Sequence, residues 1–148
     1  MTRRQSLGQH FLISQSVART IATSADITKD DIVLEIGTGK GILLPFLCKD
    51  ARTVISFEVD KNLHAYSLAK YSTLQNLDLR YGDGFKSSDS FSVFVSNLPY
   101  SESRKAMEWL LQKKFSRAII MVQKEFAEKI TLKGKEKRSI SVLVNHAT

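Results

Sequence analysis

The sequence predicts an α/β protein with an open, mostly parallel sheet and helices on both faces. Short apolar runs of strand length alternate along the chain with segments that carry apolar residues at helical spacing. A glycine-rich turn at residues 37–41 directly follows the first apolar run. The 148 residues, 43% of them apolar, are enough for one compact domain. We divide it into an N-terminal helical segment, residues 1–30, and a core, residues 31–148.

Five strands and four helices account for this pattern. The first helix is capped by Ser14 and ends near Asp26, with its apolar residues on one face. The other predicted helices cover Ile42–Cys48, Ser103–Lys113 and Lys124–Thr131. Pro45 fits the first turn of its helix but would kink it one turn later. The predicted strands are Ile32–Ile36, Thr53–Phe57, Leu77–Tyr81, Phe91–Ser96 and Arg117–Val122.

The glycine-rich turn indicates a ligand near the carboxyl end of the first strand. Gly37, Gly39 and Gly41 let the backbone approach a ligand and open a helix whose N-terminus faces it. The same turn also occurs as a plain strand-to-helix connection. A dinucleotide fingerprint requires glycine at the position of Ile42. The spacing therefore disfavours a nicotinamide-dependent enzyme.

Acidic residues follow the next two strands. Glu58 stands about 20 residues beyond the first glycine, where a carboxylate accepts hydrogen bonds from a nucleoside's ribose hydroxyls. Asp83 follows the third strand, where it could accept a hydrogen bond from an adenine amine. Each also has a simpler interpretation, a solvent-facing strand end for Glu58 and a turn for Asp83-Gly84. Together they indicate a nucleoside site at one edge of the sheet.

The tetrapeptide Asn97-Leu98-Pro99-Tyr100 ends the fourth strand and indicates chemistry on an amino group of a flat base. The lone pair of such an amine is delocalised into the ring. The Asn97 side-chain oxygen and the Leu98 carbonyl could accept both amine protons, because Pro99 offers no N–H to pair with. Tyr100 could stack on the base. By itself the tetrapeptide is also an ordinary strand-to-turn exit.

With these residues in order, the chain resembles the ribosomal RNA adenine dimethyltransferase family. The resemblance runs from about residue 4 to the end of the chain. Its most specific piece is Leu7-Gly-Gln-His-Phe-Leu12, in the matched segment Ser6–Leu12, which separates this family from other amino-group methylases that share an Asn-Pro-Tyr-like motif. The remaining pieces lie at residues 33–41, 57–60, 82–83, 97–100 and 121–130.

The resemblance implies a Rossmann-like class I fold and S-adenosylmethionine as the cofactor. Thr38 and Gly84-Phe85 depart from the usual family residues, proline and Ala-Leu, but leave the backbone glycines and Asp83 in place. The catalytic residues would be Asn97, Leu98, Pro99 and Tyr100. The implied cofactor-binding residues are Gln9, His10, Phe11, Leu12, Glu35, Gly37, Thr38, Gly39, Gly41, Glu58, Val59, Asp83, Gly84 and Asn97.

The resemblance further implies methylation of adenine amines in small-subunit rRNA, on two adjacent adenines, each modified twice. Two other functions stay open. One is a ribosome-assembly factor that binds rRNA without turnover, and the other is an amino-group methylase acting on DNA or on a protein glutamine. Family members continue beyond this chain with two strands, a second aromatic and a helical rRNA-binding domain. We therefore expect a shortened chain whose fifth strand is an exposed edge that can pair with another molecule.

The formal charge of +7 favours a polyanionic partner such as rRNA in a small-subunit precursor. The single cysteine, Cys48, is expected to be a buried residue in a reducing cytoplasm. No apolar run reaches the about 20 residues of a membrane span, and no cysteine and histidine cluster indicates a metal. The candidate RNA-binding residues are Arg3, Arg4, Lys133, Lys135, Lys137 and Arg138.

Overall fold

The computed structural model describes residues 14–98, 100–123 and 139–145. Within them lie four helices and six strands. The helices are α1 (Gln15–Ser24), α2 (Leu44–Asp50), α3 (Lys61–Lys70) and α4 (Ser103–Leu110). The strands are β1 (Ile32–Ile36), β2 (Thr53–Glu58), β3 (Leu77–Tyr81), β4 (Val93–Ser96), β5 (Arg117–Gln123) and β6 (Ser139–Asn145). Short 3-10 turns follow β3 (Gly84–Lys86) and β4 (Tyr100–Glu102).

The strands form one sheet in the order β3-β2-β1-β4-β5-β6, and every neighbouring pair is parallel. The order reverses at β1, which pairs with β2 on one side and with β4 on the other. The loops after β1 and β4 therefore leave the sheet at a topological switch point, where open α/β sheets bind ligands.

Two apolar layers cover the two faces of the sheet, because successive side chains of a strand point to opposite faces. Val33 packs with residues of α1 and α2, whereas its neighbour Leu34 packs with residues of α4. Trp109 packs in the second layer, where its indole N–H donates to the Phe85 carbonyl at 2.9 Å.

Local rules explain where the helices begin. The Ser14 hydroxyl accepts the Val17 N–H at 3.2 Å, so Ser14 caps α1 as predicted. Pro45 lies in the first turn of α2, where its missing N–H has no helical partner to lose. Asp60 caps α3 by accepting the N–H groups of Asn62 and Leu63. α3 was not predicted from the sequence, because its apolar residues do not form a clear stripe along one face.

The prediction of five strands with an exposed fifth edge is wrong. β6 pairs with β5 along its whole length, from Arg117 opposite Ser139 to Gln123 opposite Asn145. β5 therefore lies inside the sheet. It lacks the exposed edge that the sequence predicted, through which it could pair with another molecule. Ile140, Val142 and Val144 alternate as in a strand, but the segment follows a lysine-rich stretch of candidate RNA-binding residues. The predicted helix Lys124–Thr131 lies outside the described residues.

Candidate active site

A cavity of about 340 Å³ opens at the carboxyl ends of β1, β2 and β4, with the loop after β3 on one side. Its volume lies in the usual range for small-molecule sites, about 300–1,000 Å³. The lining combines apolar side chains with a few acidic and amide groups. It consists of Glu35, Ile36, Gly37, Thr38, Gly39, Lys40, Ile42, Leu43, Phe57, Glu58, Val59, Leu63, Gly82, Asp83, Phe85, Asn97, Leu98, Ser101, Glu102 and Lys105.

The glycine-rich loop forms the floor of the cavity and touches the segment after β4. Gly37 has φ +92°, a conformation that side-chain-bearing residues rarely adopt. A Cβ at Gly37 would lie 3.2 Å from Leu98 Cδ2 and 3.8 Å from the Asn97 carbonyl oxygen. The loop is held by the N–H groups of Gly37 and Thr38, which donate to the Phe57 carbonyl at 2.9 and 3.2 Å. The two loops predicted to carry the site therefore meet.

Glu58 is buried at the end of β2 and braces the same loop. One carboxylate oxygen accepts the Gly39 N–H at 2.7 Å, and the other accepts the Asp60 N–H at 2.9 Å. Burial raises the pKa of Glu58, although these backbone hydrogen bonds oppose the rise. The side chain thus lines the cavity with its orientation fixed, as a hydrogen-bond acceptor for a ligand requires. The alternative of a solvent-facing strand end does not hold.

Glu35 is a second buried carboxyl in the cavity wall, only 1% exposed. Burial raises the pKa of Glu35 to about 8, and the nearby charge of Glu58 adds to the rise. The Ser56 hydroxyl, which donates to Glu35 at 2.6 Å, opposes the rise. Ser56 was not predicted as a site residue. The sequence signal for it is a polar residue inside an apolar strand, and its position opposite Glu35 follows from the parallel register of the structure.

Asp83 lies at the cavity wall after β3. Its carboxylate accepts the Phe85 N–H at 3.0 Å and thereby caps the turn, so the predicted turn and the predicted wall position are both present. Gly84 and Gly41 are not among the lining residues. A Cβ at Gly84 would lie 2.7 Å from Ile36 Cγ1, and one at Gly41 would lie 2.4 Å from Tyr71 Cε2. Both glycines allow close packing behind the cavity wall.

The segment after β4 supplies the remaining wall. Asn97 and Leu98 line the cavity, Pro99 lies outside the described residues, and Tyr100 is described in its backbone alone. Ser101, Glu102 and Lys105 line the cavity as well, and the sequence analysis did not single them out. The Lys105 ammonium lies 4.9 Å from the Phe85 ring centroid and 3.9 Å from a Glu102 carboxylate oxygen.

Several predicted site residues fall outside the described ranges, so their placement stays a prediction. They are Gln9, His10, Phe11 and Leu12 for the cofactor, and Arg3, Arg4, Lys133, Lys135, Lys137 and Arg138 for RNA. In the part of the chain that is described, no helix has the length and hydropathy needed to cross a membrane. The same residues contain no group of three or more histidine, cysteine, aspartate or glutamate side chains suited to a metal ion.

Sheet order, cavity and loop geometry together define a Rossmann-like class I methyltransferase fold. Two solved structures share it. A dimethyladenosine transferase from Plasmodium falciparum is 34% identical with a TM-score of 0.74, and the match covers 81% of this chain and 46% of that one. The 23S rRNA methyltransferase ErmE is 30% identical with a TM-score of 0.78, over 82% and 51% of the two chains.

The chain belongs to the ribosomal RNA adenine dimethylase family, whose sequence model matches residues 1–148. A ribosomal RNA small subunit methyltransferase A from Thermotoga petrophila is 38% identical over 136 residues, 90% of this chain and 52% of the relative. A probable enzyme of the same name from Pyrococcus abyssi is 38% identical over 128 residues, 86% and 47% of the two chains. The chain spans about half the length of these relatives. The predicted family and the predicted fold class are thus confirmed.

Proposed function

We propose that this chain transfers methyl groups from S-adenosylmethionine to the exocyclic amine of adenines in ribosomal RNA. The observation that supports this most directly is the contact between the glycine loop and the Asn97-Leu98 segment in one cavity. A cofactor bound at the glycine loop would then lie next to a base amine held by the Asn97-Leu98 segment. Two adjacent adenines of the small-subunit rRNA, each methylated twice in the cytoplasm, are the substrate that the family resemblance favours.

The residues of the cavity fit the cofactor. Glu58 offers carboxylate oxygens to ribose hydroxyls, Asp83 offers one to an adenine amine, and Gly37 and Gly39 line the cavity without a side chain. Phe57, Phe85 and Ile36 add the apolar surface that a purine requires. S-adenosylmethionine, when bound, supplies an electrophilic methyl group on its sulfonium.

The chain's own groups then position the amine. The Asn97 side-chain oxygen and the Leu98 carbonyl accept hydrogen bonds from its two N–H groups. They thereby direct the nitrogen lone pair toward the methyl donor. The apolar walls at Ile36 and Leu98 exclude water from the reacting atoms. Transfer to a neutral amine leaves a proton that water can accept afterwards. An adenine that is unpaired or flipped out suits such a site, because pairing hides its amine.

Transfer of labelled methyl groups tests the proposal. The chain is incubated with labelled S-adenosylmethionine and small ribosomal subunits that lack the modification, and the rRNA is digested to nucleosides. We expect labelled dimethyladenosine. Labelled protein or DNA in parallel incubations would instead support another amino-group methylase. RNA binding and cofactor binding without transfer would support an assembly factor that has no turnover.

A further inference from the structure

Three buried side chains beneath the glycine loop form a directed chain of hydrogen bonds. The Thr38 and Ser56 hydroxyl oxygens are 2.5 Å apart, and Ser56 Oγ lies 2.6 Å from Glu35 Oε1. When Glu35 is ionised, Ser56 donates its one hydroxyl proton to the carboxylate, so Thr38 is the donor to Ser56. In that state the chain runs from the loop through Ser56 to the carboxylate.

The fold imposes this arrangement. Glu35 and Ser56 are register partners in the parallel pair β1-β2, so their side chains extend from the same face of the sheet. Thr38 reaches Ser56 from the loop that leaves β1. The exposed fractions of Thr38, Ser56 and Glu35 are 5%, 0% and 1%, so water competes little for these bonds.

The charged groups around Glu35 oppose its ionisation in the free chain. Burial raises its pKa to about 8, and Glu58 at the end of β2 adds a like charge. The Cys48 thiol on α2 is neutral, because burial raises its pKa to about 12. The other titratable groups that line the cavity are Lys40, Asp83, Glu102 and Lys105. The Ser56 hydroxyl acts in the opposite sense, since its hydrogen bond favours the carboxylate.

We propose that Ser56 and Thr38 are positioning residues that, through Glu35, couple cofactor binding in this cavity to the release of a proton. The coupling rests on the proposed function, because S-adenosylmethionine brings an ammonium and a sulfonium into a cavity lined by Glu35. A nearby cation favours the carboxylate form. The Glu35 O–H bond breaks, its electron pair stays on the carboxylate, and the proton passes to the buffer. Ser56 and Thr38 set how readily this happens.

Titration of the Glu35 carboxyl carbon by NMR in the free chain tests the positioning role. The signal is assigned by its loss in Glu35→Gln. We expect Ser56→Ala to move the midpoint upward by about one pH unit, since a charge-assisted hydrogen bond is lost. Thr38→Val should produce a smaller rise, and Thr38→Ser should leave the midpoint unchanged.

A purely structural role would lower stability without moving this midpoint, so an unchanged midpoint in Ser56→Ala overturns the proposal. If Ser56→Ala does not fold, the Thr38→Val and Thr38→Ser pair decides the question in the same way. Equal midpoints in those two variants count against the positioning role.

Calorimetry of S-adenosylmethionine binding at neutral pH, in two buffers with different ionisation heats, tests the coupling. Wild type should release a proton on binding, and Glu35→Gln should release less. Binding with equal release in both chains overturns the coupling. A wild-type chain that does not bind the cofactor contradicts the proposed function and the coupling, whereas the NMR titration still decides the positioning role.

Discussion

The guanidinium of Arg117, the first residue of β5, lies 2.7 Å from the carboxylate of Asp31, the residue before β1. Arg117 also donates to the carbonyls of Ala25 and Asp26 at 2.8 and 3.1 Å, so it fastens the end of α1 to the sheet. Ser92 donates to the second Asp31 oxygen at 2.7 Å. This cluster thus joins the amino ends of β1, β4 and β5 to the end of α1, on the side of the sheet opposite the cavity.

This cluster predicts acid-dependent stability. Burial acts to raise the pKa of Asp31, but its hydrogen bonds to Thr28 and Ser92 and the charge of Arg117 bring it below the ordinary value of 3.8. A lowered folded-state pKa means that the stabilisation is present above the unfolded-state pKa and is lost as pH falls through the folded-state value. Asp31→Asn should cost about 2 kcal/mol of unfolding free energy at neutral pH. Urea denaturation at neutral pH and at pH 3 should give a smaller cost at pH 3.

Asp78→Asn is the matched control, because the Asp78–Arg80 pair is also 2.7 Å apart but about 40% exposed. Exposed pairs contribute little, so this change should cost less than about 0.5 kcal/mol. If Asp31→Asn and Asp78→Asn lower the free energy of unfolding equally, the buried Asp31–Arg117 cluster does not contribute more to stability than an exposed pair.

Glu58→Gln should weaken S-adenosylmethionine binding by about 10- to 100-fold, because a charged acceptor for ribose hydroxyls is lost. Equilibrium dialysis with the labelled cofactor measures this. Asp60→Asn serves as the control, since asparagine also caps helices and Asp60 is not among the cavity-lining residues. A similar loss of affinity in both variants would point to the α3 start and not to a ribose contact.

Asn97→Ala should reduce methyl transfer by at least about 100-fold, because the amine loses one of its two proton acceptors. Cofactor affinity should fall much less than the rate. Single-turnover transfer from bound cofactor separates the two effects. Asn62→Ala changes an exposed amide on α3 and should transfer normally. Wild-type rates in Asn97→Ala would show that the site is misassigned.

Gly41→Ala should destabilise the chain by about 3 kcal/mol. Its φ of +77° disfavours alanine, and the new Cβ would lie 2.4 Å from Tyr71 Cε2. Gly82→Ala should cost less, about 1–2 kcal/mol, since φ is +146° but no atom lies within 4 Å of its Cβ. Thermal unfolding of Gly41→Ala with and without Tyr71→Leu measures the clash. If the destabilisation by the two substitutions is strictly additive, the Gly41 Cβ does not clash with the Tyr71 ring.

The candidate RNA-binding residues between positions 133 and 138 predict RNA binding that weakens as salt concentration rises. Changing Lys135 and Lys137 to glutamine should reduce the slope of log affinity against log salt concentration by about 0.7 for each phosphate that is no longer neutralised. Lys49→Gln with Lys114→Gln removes the same charge from exposed positions before β2 and β5, away from the cavity. Filter binding of rRNA fragments at several salt concentrations compares the pairs. If the two double variants show the same slope of log affinity against log salt concentration, the change reflects net charge alone.

The local pattern was sufficient to predict most of the sheet. β1 and β3 have the predicted bounds, and β2 and β5 each extend one residue further. β4 begins at Val93, two residues after the predicted start, where the Ile32 N–H donates to the Ser92 hydroxyl at 3.0 Å instead of to a backbone carbonyl. α3 and β6 were missed. Both depend on packing and pairing with distant segments, which a short window of sequence does not contain.

The sequence by itself determined the family, the α/β class and the polar residues at the strand ends. Those features follow from residue type, apolar period and spacing, which are local properties of the chain. Only the tertiary structure decided that β5 lies inside the sheet, that Gly41 and Gly84 pack behind the cavity, and that Thr38, Ser56 and Glu35 form one chain of hydrogen bonds. These depend on which residues meet across strands, and parallel register joins positions far apart in sequence.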